Sequence, residues 1–138
     1  LSGQILYTGT QHEEGEVYSM IIRRGTETFP TKSYAFPDPD KIATQHFLVN
    51  KGEYDGKLNH VVRATLNPGF DLPFHTHTDD EEIFVILFGN AEYTDNDRNK
   101  HILHAGDIMI CRSGEGHAIG NPFGEPTILM EINLPVDK

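Results

Sequence analysis

At 138 residues the chain is the size of one domain, long enough to bury roughly two thirds of the surface its unfolded form exposes. Its formal net charge of −10, with Lys and Arg scattered, excludes the clustered basic surface that a nucleic acid requires. No segment approaches the ~18 consecutive apolar residues of a membrane span, and the single Cys111 excludes an internal disulfide and fits a reducing compartment.

Taken from the N-terminus, the polar opening LSGQILYTGTQHEEGE lacks the basic-then-apolar layout of a secretion signal, so a cytoplasmic location is expected. The first residue is Leu and not Met, which leaves open a targeting sequence removed upstream. Helical periodicity is weak throughout, whereas short runs of strand type recur between Gly, Pro and Asn-Asp breaks. Strands are expected at 17–22, 41–49, 60–66, 82–88, 90–94, 100–104, 107–112 and 126–134, giving an all-β sandwich or barrel. The FPDPD segment at 36–40 carries two prolines and reads as a connector, dividing residues 1–40, an N-terminal arm with edge strands, from 41–138, the main body of a single domain. Residues 95–99, DNDRN, form a polar hairpin turn. The arm holds an apolar run at Val17–Ile22 that a small barrel does not need, so it is expected to pair with a second copy in a homodimer.

Two stretches carry the chemistry. In GFDLPFHTHTDDEEIFVILFG, His75 and His77 are separated by one residue, so both imidazoles project from one face of an extended chain. Glu82 opens the buried strand EIFVILF; on its alternation Glu82, Phe84, Ile86 and Phe88 point inward, and Glu81 and Ile83 outward. In GDIMICRSGEGHAIGN, His117 follows a Gly-rich turn. Three imidazoles and a carboxylate suit a transition metal; soft thiolate ligation and the oxygen-only sites of Mg or Ca do not match them. Iron, manganese, nickel, cobalt and zinc all fit. His12, His46, His60, His101 and His104 lack such framing and are read as exposed or structural.

These stretches resemble the paired motifs of the cupin superfamily. Gly69, His75, His77, Glu82 and Gly89 stand on every fixed position of its first motif, and Gly106, Gly114, His117 and Asn121 on those of its second, with Arg112 where that pattern has Pro. Glu81 is the rival of Glu82, because the family tolerates a shorter spacer; the run to Gly89 favours Glu82. The resemblance implies a single jelly-roll β-barrel whose mouth holds one divalent metal on His75, His77, Glu82 and His117. It also implies a metal-dependent enzyme acting on a small oxygen-bearing organic molecule. Dioxygenase-type oxidoreductase chemistry is ranked ahead of an isomerase, lyase or decarboxylase, and a non-catalytic binding cupin is the alternative. No general base stands out. Tyr93, Arg63 and Gln45 lie on expected strands and could reach the pocket, though each reads first as structural or exposed.

Overall fold

The computed structural model describes residues 10–13, 16–18 and 20–137, and the secondary structure is entirely β. The strands are β1 (Thr10–Glu13), β2 (Glu16–Tyr18), β3 (Thr31–Ala35), β4 (Ile42–Asn50), β5 (His60–Leu66), β6 (Asp71–Thr76), β7 (Asp80–Phe88), β8 (Ala91–Thr94), β9 (Lys100–Leu103), β10 (Ile108–Cys111), β11 (Gly116–Gly120) and β12 (Thr127–Pro135). Apart from the β1–β2 hairpin they form two sheets, a six-stranded one in the order β10-β7-β12-β5-β4-β3 and a four-stranded one in the order β6-β11-β8-β9. No helix among the described residues is long and apolar enough to cross a membrane, which leaves β-barrel spans unaddressed.

The central strands follow from their sequences. β5, HVVRATL, and β12, TILMEINLP, alternate residues that bury with residues that do not, and β12 lies antiparallel between β5 and β7. That period of two puts Val62, Ala64 and Leu66 beside Leu129 and, across β12, Phe84 and Ile86, forming the core with Phe70, Ile119 and Tyr93 from the four-stranded side. Side chains of both sheets thus share one interior.

Three strands carry no strong compositional signal and form through their neighbours. β3 is exposed along its length and hydrogen-bonds to β4 at the sheet edge. β6 contains Pro73, which an edge strand accommodates because one side of its ladder needs no donors, and β6 is an edge of its sheet. β11 is GHAIG, with glycines at both ends, and is held between β6 and β8.

Two expectations change. The inward alternation of β7 holds for Glu82, Phe84 and Ile86 but fails at Phe88, which is 51% exposed. The β7–β12 register shifts between Ile128 and Leu129, so Leu87 is an extra residue and the period of two is lost there. Of the 17–22 run, β2 ends at Tyr18, and Met20, Ile21 and Ile22 lie beyond it with exposed side chains. Residues 1–9, 14–15 and 19, which belong to the arm expected to mediate a homodimer, fall outside the described residues. The 36–40 segment is the loop of the β3–β4 hairpin, closed by Phe36 N donating to Lys41 O at 3.0 Å. Residues 95–99 form the expected turn between β8 and β9, where Asp95 N donates to Asn99 O.

The motif glycines serve the turns. Gly69, Gly89, Gly106 and Gly114 all have positive φ. At Gly89, where the chain passes from one sheet to the other, a Cβ would lie 2.6 Å from the Pro126 carbonyl oxygen, so both conformation and space require glycine.

Candidate metal centre

The four-stranded sheet supplies three of the clustered side chains. His75 on β6 is the cross-strand partner of His117 on β11, and the antiparallel pairing places their rings 4.7 Å apart. His77 lies just past the end of β6, where its carbonyl accepts from Gly114 N and its N–H donates to Glu115 O, holding it to the turn before β11. Glu82 comes from β7 of the other sheet and is buried. One ligand atom from each of His75, His77, Glu82 and His117 lies within 4.8 Å of all the others. Glu81 points elsewhere: its Oε2 accepts from Ser113 N at 3.2 Å.

The Nε2 atoms meet in a way that ordinary hydrogen bonding does not satisfy. His75 Nε2 is 3.0 Å from His77 Nε2, and His77 Nε2 is 3.0 Å from Glu82 Oε1. His117 Nε2 lies 3.1 Å from Glu82 Oε1 without hydrogen-bond geometry, so this buried nitrogen has no hydrogen-bond partner. Burial of such a group without a partner is costly. On the outer side each ring is engaged. His75 Nδ1 is 2.9 Å from Pro73 O, His77 Nδ1 2.7 Å from Asp80 Oδ1, and His117 Nδ1 2.9 Å from Tyr93 Oη. The Pro73 carbonyl and Asp80 carboxylate can only accept, so the proton of each neutral ring sits on Nδ1, and the Nε2 lone pair is bare and aimed inward. The same tautomer of His117 donates to Tyr93 Oη. Outer partners that fix the tautomer in this way are the usual support of metal-ligating histidines.

Charge states agree. Burial, with the facing His117 and His77 rings, lowers the His75 pKa against the pull of the Pro73 carbonyl, which favours a neutral imidazole. For Glu82, burial is the largest single influence and acts upward, but His117, Glu131 and His77 together outweigh it and hold the carboxyl at about 2. Burial, reinforced by Cys111, raises the Tyr93 phenol, and burial with Glu115 and Glu82 pushes the Cys111 thiol up to about 11, so both stay neutral. The cluster of three imidazoles and one carboxylate is capable of coordinating a single divalent transition-metal ion.

A cavity of about 370 Å³ opens from this cluster, walled by Leu72, Phe84, Ile119, Phe70 and Leu129. Its lining is polar as well: Gln45, His60, Glu131 and Asn133 reach it from the six-stranded sheet, and Lys32 and Tyr34 from edge strand β3. Gln45 therefore does reach the pocket, and so does His60, which sequence framing alone left as structural. Tyr93 acts one layer out, on His117, whereas Arg63 lines a separate cavity against Phe29.

Asp80 and Glu131 escaped the sequence reading. Asp80 had a local signal, being three residues beyond His77 and opposite in charge to an imidazolium. Glu131 had a subtler one, since alternation along β12 places a carboxyl group among inward positions that are otherwise uncharged. Asn121, a motif position, is structural: its buried Nδ2 donates to Leu66 O and Glu125 O, and its Oδ1 accepts from Phe123 N. Where the motif has Pro, Arg112 is exposed, and its turn is closed instead by Arg112 N donating to Glu115 Oε1 and Glu115 N donating to Arg112 O.

The two-sheet architecture and the His-His-Glu-His cluster are those of a cupin, and the chain belongs to that family: residues 62–133 match the Cupin domain. Among curated proteins it is similar to the oxalate-binding protein of Thermotoga maritima, 35% identical over 74 residues. That stretch is 54% of this chain and 60% of the relative, so the chain spans less than two thirds of the relative's length. Among solved structures it is similar to a protein of Thermotoga maritima described as a predicted oxalate decarboxylase, with a TM-score of 0.75 and 23% identity over 84% of this chain and 100% of the other. It is also similar to a sugar phosphate isomerase of the cupin superfamily from Silicibacter pomeroyi, with a TM-score of 0.59 and 20% identity over 68% of this chain and 60% of the other. At those identities the structural likeness shows the fold.

The expectation of a dioxygenase-type oxidoreductase is corrected by these relatives. The two from Thermotoga maritima are described by oxalate binding and by a predicted decarboxylase, which is a lyase and not an oxidoreductase. The physical reason is that the earlier ranking rested on the ligand set, and three imidazoles with a carboxylate polarise a substrate oxygen equally well for either chemistry.

Proposed function

We propose that the protein is a metal-dependent cupin enzyme of lyase type that acts on a small carboxylic acid, with decarboxylation as the reaction. His75, His77, Glu82 and His117 would hold the ion. The observation that carries this reading is the convergence of three histidine Nε2 atoms, one of them buried without a hydrogen-bond partner, at the end of a cavity large enough for a small organic acid. The oxalate named for two relatives supports the substrate class. When bound, a divalent ion supplies a Lewis acid for a carboxylate oxygen. The chain's own residues do the rest. Pro73, Asp80 and Tyr93 fix the imidazoles, and Phe84, stacked on His117 with ring centroids 5.5 Å apart, forms with Leu72 and Ile119 an apolar wall that keeps water from the bound acid.

The test is to load the protein with Mn(II), Fe(II), Co(II), Ni(II) or Zn(II) in turn and to assay oxalate for binding and for release of carbon dioxide. Turnover with at least one metal is expected. Tight binding without turnover under every metal would favour a non-catalytic binding protein, a reading that the description of the Thermotoga maritima oxalate-binding protein also supports. Failure to bind any carboxylate would sink both. A homodimer through the N-terminal arm belongs to the same proposal, since Met20, Ile21 and Ile22 of the arm expose apolar side chains. Light scattering that finds a monomer at micromolar concentration would remove it.

A further inference from the structure

We propose that Cys111 is a positioning residue of the metal centre: through Tyr93 it sets the direction of the hydrogen bond at His117 Nδ1, and so keeps the His117 Nε2 lone pair free for an ion. This rests on the reading of the cluster as a metal centre and on no particular substrate.

Tyr93 alone leaves the tautomer of His117 open. His117 Nδ1 lies 2.9 Å from Tyr93 Oη, and a phenol both donates and accepts. If Tyr93 O–H donated to Nδ1, the ring proton would sit on Nε2, aimed at the cluster, and that nitrogen could not ligate. His75 and His77 have no such freedom, because a carbonyl and a carboxylate, which only accept, face their Nδ1 atoms. What settles His117 is therefore where the phenol proton goes.

Cys111 gives that proton a place. The buried thiol and Tyr93 share a side-chain hydrogen bond. Cys111 Sγ lies in turn 3.6 Å from the Glu115 carbonyl oxygen and 4.0 Å from that of Arg112. Carbonyls only accept, so the single thiol proton turns to one of them, with Glu115 O the nearer. Sγ is then left to accept from Tyr93 O–H, and Oη to accept from His117 Nδ1–H. Every proton in the row points away from the cluster, and Nε2 is bare. Burial raises both the phenol and the thiol, the latter to about 11, so each keeps the proton that the row needs. His117 is 1% exposed and its Nε2 has no hydrogen-bond partner, as befits a ligand's lone pair. Glu115 O also accepts from His77 N at 3.3 Å, so the row ends on the turn that holds a second of the clustered histidines.

Two readouts on the full chain test this: Zn(II) affinity, by competition with a chromophoric chelator, and the His117 tautomer, from the imidazole nitrogen NMR shifts of the metal-free protein. Cys111→Ala should weaken Zn(II) binding roughly tenfold, the lower end of what outer partners of metal ligands contribute, and move the His117 proton toward Nε2. Cys111→Ser, whose hydroxyl accepts from Tyr93 and donates to Glu115 O, should restore both. Adding Tyr93→Phe to Cys111→Ala should cost nothing beyond Tyr93→Phe alone, because without the phenol no proton competes for Nδ1. A packing role for Cys111 would make the two losses add and leave the tautomer unmoved; either result overturns the proposal. If Cys111→Ala fails to fold, the wild type and Cys111→Ser decide: a wild-type His117 protonated on Nε2, or a serine variant with lost affinity, overturns it as well. Unchanged Zn(II) affinity in Cys111→Ala beside a wild type that binds Zn(II) overturns this inference alone, whereas absence of Zn(II) binding by the wild type sinks the metal-centre reading too.

Discussion

The two sheets contribute to the site in different ways. The four-stranded sheet brings three imidazoles, each steadied by a partner nearby: Pro73 for His75, Asp80 for His77 and Tyr93 for His117. The six-stranded sheet brings two carboxylates, Glu82 and Glu131, and their surroundings come from far along the chain, through the pairing of β12 with both β5 and β7. The histidines are thus concentrated on one side of the site, and two of their three supports, Pro73 and Asp80, lie within three residues of the ring they hold. On the other, the carboxylate that completes the cluster and the buried Glu131 beside it are both set by strand register.

That difference governed what could be read from the sequence. His75, His77, Glu82 and His117 stand at fixed intervals from glycines whose positive φ the turns require, so the cluster was legible from local pattern. The all-β class was legible as well, because β5, β7 and β12 alternate cleanly over most of their length. β6 and β11 were harder, since a proline and two glycines obscure strands that exist because they pair with each other. Glu131, with Gln45 and His60, was not legible as a group: these residues lie on three strands and meet only once β4, β5 and β12 adopt their observed register. The exposure of Phe88 was hidden for the same reason, as it depends on a register shift against a strand some forty positions away.

If the two sheets share one ion, losing a ligand from either should empty the site. His117→Ala and Glu82→Ala are each expected to abolish stoichiometric metal, measured by elemental analysis after purification in metal-replete buffer. Glu81→Ala, whose carboxylate accepts from Ser113 N, should retain it. Retention by Glu82→Ala with loss by Glu81→Ala would reverse the ligand assignment. Chelation of the wild type should also lower its melting temperature by several degrees, because an ion bound only to the folded state adds about 2.7 kcal/mol when its free concentration is a hundred times Kd.

The short-range supports of the imidazoles come next in size. Asp80 accepts from His77 Nδ1 and is itself held by Asn133 Nδ2 at 3.0 Å, so it joins the histidine side of the site to β12. Asp80→Ala should weaken metal affinity about 10–100-fold. Tyr93→Phe, which removes only the partner of His117 Nδ1, should act in the same direction and by no more. Competition with a chromophoric chelator measures both, and full affinity in Asp80→Ala would show that the His77 tautomer needs no carboxylate.

Acid should expose the two sheets in separate pH windows in the metal-free protein. The His75 pKa is lowered in the fold from its ordinary 6.5, so below 6.5 the unfolded chain takes up a proton that the folded one resists, and stability falls as pH drops. Glu82 is held at about 2 against an ordinary 4.5, so its contribution is present above 4.5 and is lost as pH falls toward 2. Urea unfolding midpoints should therefore decline first below pH 6.5 and again below 4.5. His75→Gln should remove the upper decline and keep the lower one; a profile unaltered by that substitution would assign the upper decline elsewhere.

The smallest effect is expected at Arg112, where the second motif departs from the family pattern. It follows β10, the edge of the six-stranded sheet, and opens the turn leading to His117 on the four-stranded one, so it tests whether that connection needs a stiff residue. Proline there would fix φ and remove the N–H that donates to Glu115 Oε1 at 2.8 Å. The preceding Cys111 is already in a strand, the conformation that a following proline favours. A lost exposed hydrogen bond, worth about 0.5–1.5 kcal/mol, is thus offset in part by reduced freedom of the unfolded chain, worth about 0.4–1 kcal/mol. Arg112→Pro should keep full metal content and shift the unfolding free energy by less than about 1 kcal/mol. Loss of metal in this variant would mean that the Arg112–Glu115 bond positions His117, and that the glycines and the pairing of β11 with β6 do not suffice to do so.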